Sequence, residues 1–347
     1  MAGGTGGHIF PGIAIGRAVQ QQFHDIEVLW LGSKGGMETQ IIPHQTNFSL
    51  YLLNIKGFRK KTFLQKLIVP FLLLRSIWNA IKIFKQEKPD IVLGMGGFVC
   101  APGGIAAKLL HIPLFIHEQN SVAGLTNKLL SLLSQKIFTG FPTVLKLSFS
   151  HKKMIFTGNP VRKEILNIPA KTQLHNPIRL LIVGGSRGAA ILNDLIPKAL
   201  QLIPNEFNIE VFHQTGKDLT SDYSNAHSNI SAKTQSFIDD MAKIYDWADI
   251  IICRSGALTL AEITAIGIPA ILIPYPFAVD NHQTFNAKYL SNNNAAILSP
   301  QSELTAEILL EQLIPLFQTE NYIKMAQASR ALRRENTISM ILDSMLT

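Results

Sequence analysis

Short apolar runs bounded by glycine or proline alternate with longer amphipathic segments along the whole chain. Apolar runs of strand length, each followed by a helix-length segment, predict parallel strands joined by helical crossovers. In the first half they predict strands at Glu27–Leu31, Ile91–Leu93, Leu114–His117 and Lys136–Phe138. In the second half they predict strands at Arg179–Val183, Ile209–Gln214, Ile250–Cys253 and Ile271–Ile273. The fold class is therefore α/β, with two doubly wound halves. At Thr157-Gly158-Asn159-Pro160 a glycine and an Asn-Pro pair interrupt the apolar pattern and predict the joint. The polar stretch Thr220–Ser231 reads as a surface loop.

Each half carries a glycine-rich loop at its first strand-to-helix turn: Gly3-Gly4-Thr5-Gly6-Gly7 and Gly184-Gly185-Ser186-Arg187-Gly188. A third run is Gly94-Met95-Gly96-Gly97. Such loops let backbone N–H groups approach a phosphate or a sugar beyond the C-terminal ends of the strands. Only Met1 and Ala2 precede the first loop, where a buried strand is expected. Either the sequence begins inside that strand, or the sheet lacks most of a central strand. Neither the dinucleotide fingerprint G-x-G-x-x-G nor a P-loop occurs. Residues 184–188 do match G-x-S-x-G between a strand and a helix, which would make Ser186 a hydrolase nucleophile. Against a serine hydrolase, no acid-then-histidine pair stands at later strand ends, and the first half would have no role.

Composition narrows the class. A chain of 347 residues, 47% hydrophobic and 16% charged, has room for about two ordinary domains and is not disordered. Cys100 and Cys253 both sit in apolar segments, so neither a disulfide framework nor a zinc site is indicated. No secretory signal opens the sequence. The most apolar stretch, Leu67–Leu74, contains Pro70 and falls short of the roughly 20 residues that span a bilayer, so a cytoplasmic protein at a membrane face is expected. The net charge of +8 suits an anionic partner. Between Arg59 and Lys88, Lys60, Lys61, Lys66, Arg75, Lys82 and Lys85 accompany Leu67, Phe71, Leu74 and Trp78 at helical spacing. Basic residues beside an apolar aromatic stripe suit an anionic phospholipid surface, the bland alternative being a helix that faces its own core. No recognition motif or stacking platform supports nucleic acid.

In Cys253-Arg254-Ser255-Gly256-Ala257-Leu258-Thr259-Leu260-Ala261-Glu262 a small-residue turn follows a strand, and Glu262 falls on the first turns of the next helix. A carboxylate there can accept paired bonds from two ribose hydroxyls. The order of motifs is also specific: Met1 to Gly12, Gly94 to Gly97, His117-Glu118-Gln119-Asn120, Gly158-Asn159-Pro160-Val161-Arg162, Gly184-Gly185-Ser186 and Cys253 to Glu262. Together they closely resemble the bacterial enzymes that transfer N-acetylglucosamine from its UDP donor to undecaprenyl-diphospho-N-acetylmuramoyl-pentapeptide, converting lipid I to lipid II in peptidoglycan synthesis.

The resemblance covers nearly the whole chain and implies a GT-B fold, two Rossmann-like domains facing across a cleft. It implies an acceptor-binding, membrane-facing domain over residues 1–157, a donor-binding domain over 158–330, and a final helix near Ala331–Leu346 that returns to the first domain. Carried over position by position, Thr5, Gly6, Gly7, Asn120, Arg162, Ser186, Ile238, Ala257, Leu258, Thr259, Leu260, Ala261, Glu262 and Gln283 look like UDP-N-acetylglucosamine contacts. Arg162 suits a paired guanidinium contact with the diphosphate, Ser186 a phosphate, the Ile238 backbone uracil, and Gln283 sugar hydroxyls. The family often has tyrosine where this chain has Phe98, so a hydroxyl-dependent role is not carried over there. The implied reaction inverts configuration as the acceptor 4-hydroxyl attacks the anomeric carbon. His8 is expected as general base, with Glu118 as the competing base. No D-x-D pattern occurs, so no metal or other cofactor is expected, and departing UDP would meet Arg162, the Ser186 loop and helix N-termini. The expected partners are the donor, the lipid-linked acceptor and anionic phospholipid at the cytoplasmic face of the inner membrane, with a cell-wall synthesis complex left open. A diacylglycerol-type acceptor is the alternative reading.

Overall fold

The structure, a computed structural model, describes residues 1–55, 63–144, 153–185 and 188–346, the side chains of 63–68 excepted. It divides into two compact units, one of residues 1–160 with 336–347 and one of residues 161–335.

In the first unit the elements run α1 (Gly6–Gln22), β1 (Leu29–Ser33), α2 (Glu38–Gln45), β2 (Ser49–Leu53), α3 (Phe63–Glu87), β3 (Val92–Gly94) and α4 (Cys100–Leu109). They continue with β4 (Leu114–Glu118), α5 (Leu125–Leu130), β5 (Lys136–Thr139) and β6 (Met154–Phe156). β1 and β2 form a parallel pair, and β3, β4, β5 and β6 a parallel sheet in that order. Met1 and Ala2 lie between the two sheets. Met1 N donates to Leu93 O at 2.8 Å, Met95 N donates to Met1 O at 2.8 Å, and Ala2 N donates to Leu31 O at 3.3 Å. The backbones of Met1 and Ala2 thus link β1 to β3. The α3 helix buries Ala80 and Phe84 on one side and exposes Phe71, Leu74 and Trp78 on another.

In the second unit follow α6 (Lys163–Leu166), β7 (Ile178–Val183), α7 (Ala190–Leu200), β8 (Ile209–Gln214), β9 (Ile230–Gln235), α8 (Met241–Trp247) and β10 (Ile250–Cys253). After them come α9 (Ala257–Ile266), β11 (Ala270–Leu272), α10 (His282–Ser291), β12 (Ile297–Leu298), α11 (Ala306–Leu313) and α12 (Thr319–Ala331). The sheet is wholly parallel, in the order β12-β11-β10-β7-β8-β9. Both faces of its centre are covered, which is why β10 reads Ile-Ile-Ile-Cys with every residue buried. α9 is apolar nearly all round and stops at Gly267, whose φ of +75° supplies the left-handed turn.

Some elements differ from the expectation. Ile230 and Ser231, read as the end of a loop, begin β9. The segment read as one final helix from Ala331 is broken: α12 ends at Ala331, and α13 (Thr337–Leu346) belongs to the first unit. Thr337 Oγ1 donates to Thr157 O at 2.7 Å, and Ile341 and Leu342 join the cluster of Ile9, Ile13 and Phe138.

Candidate functional site

In the second unit, consecutive strands run outward in opposite directions from β7 and β10, so the crevice at their C-terminal ends is the expected ligand position of a doubly wound sheet. The Gly184-Gly185 turn leaves β7 there, and the Ser255-Gly256 turn leaves β10. Gly188 has a φ of +72°, and a Cβ on it would lie 2.2 Å from Thr215 O, so only glycine allows that loop to close against the neighbouring strand. Ser186 and Arg187 lie outside the described residues. Ser255 is buried and donates to Gln283 O at 2.9 Å, while Gln283 Oε1 accepts from Tyr275 N at 2.8 Å. Gly256 caps α9 without a side chain, and Ala257 to Ala261 form the helix's opening turns.

Arg162 and Glu262 meet directly. Arg162 donates to Glu262 Oε1 at 3.1 Å, and Tyr245 Oη donates to Oε2 at 3.0 Å. Burial pushes the Glu262 carboxyl above its ordinary range, opposed by the Arg162 charge and by both hydrogen bonds. Burial and the adjacent Glu262 charge also hold the Tyr245 phenol well above its ordinary value, so it remains a donor. Ile238 is buried beside a groove of about 590 Å³ lined by Phe212, Lys233, Asp240, Ile244 and Trp247. Arg254, close in sequence, serves the scaffold: it donates to the carbonyls of Ile273 and Pro274 and to Gln301 Oε1.

The first unit has its own reversal of strand order, at Met1–Ala2 beside β3, and two glycine loops meet there. A Cβ on Gly97 would lie 2.2 Å from Gly3 O, and one on Gly96 would lie 2.7 Å from His8 Nδ1. Gly96 and Gly97 are thus explained by close packing against His8 and Gly3. Thr5 caps α1 through its backbone, its carbonyl accepting from His8 N at 3.0 Å, and Gly6 and Gly7 open the helix. His8 is half-buried, and its Nδ1 lies 3.0 Å from Gln119 Oε1. Glu118 is committed to its own loop. Its Oε1 accepts from Asn120 N and Nδ2 at 3.0 and 3.4 Å, and its Oε2 accepts from Gly124 N and Asn127 Nδ2 at 3.0 and 2.9 Å. The buried His117 donates from Nε2 to Gly158 O at 3.0 Å; burial, helped by the nearby His8, lowers its pKa to about 4, so the ring is neutral.

Residues 1–139 match the N-terminal domain, and residues 179–340 the C-terminal domain, of glycosyltransferase family 28. The chain belongs to glycosyltransferase family 28. A UDP-N-acetylglucosamine--N-acetylmuramyl-(pentapeptide) pyrophosphoryl-undecaprenol N-acetylglucosamine transferase from Coxiella burnetii is 41% identical, over 99% of this chain and 96% of the relative. The enzyme of the same name from Tolumonas auensis is 44% identical, over 95% and 93%. Among solved structures, MurG of Acinetobacter baumannii is 37% identical with a TM-score of 0.83, covering 100% of this chain and 98% of that one. A UDP-GlcNAc 2-epimerase from Neisseria meningitidis, 18% identical over 97% and 96% with a TM-score of 0.65, shares the fold alone. This family 28 chain thus has a two-domain GT-B fold.

Three polar residues of the family 28 scaffold escaped the sequence reading. Tyr245 supports Glu262 from 17 positions away, a separation with no local signature. Gln119 stood inside a recognised motif but was given no role. Glu38 is buried and accepts from Ser33 N, Ser33 Oγ and Gly4 N at 2.7, 2.6 and 3.2 Å, which ties the start of α2 to the first glycine loop. The glycines around it, Gly3, Gly32 and Gly36, leave its side chain room and were the available clue.

Proposed function

We propose that this chain is an inverting glycosyltransferase that moves N-acetylglucosamine from UDP-N-acetylglucosamine to the 4-hydroxyl of undecaprenyl-diphospho-N-acetylmuramoyl-pentapeptide, giving lipid II. The observation that carries the reading is 41% identity to a transferase of this activity over 99% of the chain. The second unit holds the donor: the Arg162 guanidinium takes the diphosphate, Glu262 the ribose, and the α9 N-terminus and Gly184-Gly185 turn the charge that leaves with UDP. Ser186 belongs to that phosphate site, the Ile238 backbone takes uracil, and Gln283 donates its amide N–H to the sugar. In the first unit His8 takes the acceptor proton, and Thr5, Gly6, Gly7 and Asn120 offer contacts to UDP-N-acetylglucosamine. Glu118, with both carboxylate oxygens occupied by loop donors, holds the Asn120 loop in place.

The reading places the enzyme at the cytoplasmic face of the membrane, bound through α3 to anionic phospholipid. Phe71, Leu74 and Trp78 are 73%, 64% and 59% exposed, and Lys82 Nζ lies 5.7 Å from the Trp78 ring centroid. Apolar anchors beside cations suit the headgroup boundary. Arg59, Lys60 and Lys61 lie outside the described residues, as do the side chains of Lys66 and Leu67. Among the described residues no helix is long and apolar enough to cross a membrane.

The test is transfer of labelled N-acetylglucosamine by the full chain to lipid I and to diacylglycerol. Product on lipid I alone supports the reading, and product on diacylglycerol alone overturns it. His8→Gln should slow turnover about 100- to 10,000-fold with donor affinity near the parent's. Near-parental turnover would move the base elsewhere.

A further inference from the structure

The hydrogen bonds around His8 determine which of its nitrogens carries the proton. Gln119 is buried, and its Nε2 donates to Met95 O at 2.8 Å and to His117 O at 3.3 Å. Reversing the amide would set its oxygen against two carbonyl oxygens with no hydrogen between them. Oε1 therefore faces His8 Nδ1, 3.0 Å away, and an amide oxygen can only accept. The hydrogen in that contact belongs to Nδ1.

We propose that Gln119 is a positioning residue that holds neutral His8 in the Nδ1–H tautomer and so leaves the Nε2 lone pair to take the acceptor's proton. This rests on the reading of His8 as general base. Gly96 supports the same placement, because the ring packs where a Cβ on Gly96 would come within 2.7 Å of Nδ1. In the transfer, the acceptor oxygen forms its bond to the anomeric carbon as its O–H bond breaks, and the proton goes to Nε2. The bond from that carbon to UDP breaks, and its electron pair leaves with the diphosphate. The imidazolium so formed keeps its Nδ1–H on Gln119. A His8 ring protonated at Nε2 instead, the form favoured by an unconstrained histidine, offers the hydroxyl no lone pair there.

Nitrogen-15 spectra of the full chain with labelled histidine, taken where the ring is neutral, read the tautomer without reference to activity. The parent should show His8 protonated at Nδ1 and bare at Nε2. Gln119→Leu should shift it toward Nε2–H and lower kcat about 10- to 100-fold, within the range a positioned base supplies, with donor KM unchanged. Leucine deprives the Met95 and His117 carbonyls of their donor and glutamate does the same, so Gln119→Glu is a second variant chosen only for the acceptor it keeps toward His8. Its carboxylate accepts the same Nδ1–H but stabilises the imidazolium, and should move the acidic limb of the kcat profile to higher pH. A parent protonated at Nε2, an unchanged kcat in a folded leucine variant, or an unmoved limb in the glutamate variant overturns the proposal. If neither variant folds, the parental spectrum decides. The base reading fails separately: His8→Gln with parental turnover sinks it, while the spectrum still reports the tautomer.

Discussion

The Glu262 carboxylate accepts from Arg162 and Tyr245, and burial raises its pKa against both. A carboxyl whose folded-state pKa exceeds the unfolded value, about 4.3, adds stability below that value and loses it as pH rises through the raised one. Glu262→Gln removes this dependence. Its melting temperature relative to the parent should therefore climb as pH rises above about 4, whereas a flat difference would place the cost of burial elsewhere. For the donor the sign is opposite: Glu262→Ala should weaken UDP-sugar binding by about 1.5–3 kcal/mol in calorimetry, the loss of charge-assisted bonds to ribose, with acceptor affinity unchanged. The sequence named Arg162 and Glu262 for two different parts of the donor. Their pairing across 100 positions was not legible, because nothing local in either motif encodes the other.

At the scale of elements, legibility followed burial. The strands at the centre of each sheet announced themselves because both faces are covered and the runs are continuously apolar. β9 is an edge strand exposed from Ser231 to Gln235 and reads Ile-Ser-Ala-Lys-Thr-Gln, so hydrophobic pattern could not separate it from a loop. β12 has two residues, too few for any period. The loop after β4 buries Val122 and Ala123 and is tied by the bonds to Glu118. Glu118→Gln turns one of its acceptors into a donor facing N–H groups and should cost about 1–3 kcal/mol in urea unfolding; unchanged stability would free Glu118 for a chemical role. On α3, replacing Arg75, Lys82 and Lys85 with alanine should lose roughly 1 kcal/mol of anionic-vesicle affinity per contacting residue, and salt should weaken the parent likewise. A triple variant that sediments with vesicles as the parent does would put the membrane contact on another element.

Over the whole molecule, the two units do not correspond to two continuous stretches of chain. Residues 161–335 stand as an insertion within the first unit, which recovers its last piece only at 336–347. Ile341 and Leu342 are 0% and 2% exposed in that unit's core. Removing 336–347 should therefore cost the first unit about 3–6 kcal/mol, from two buried side chains at about 1.5–3 each. Calorimetry should still detect UDP binding by the second unit, and a truncated chain with an unshifted first transition would contradict this division of the core. The same arrangement sets an order in time. A ribosome releases every residue of the second unit before it makes α13, and domains tend to fold as they emerge. The apolar surface of Ile9, Ile13 and Phe138 that α13 covers stays open through all of that synthesis, so the half of the protein made first is completed last and depends longest on protection from aggregation.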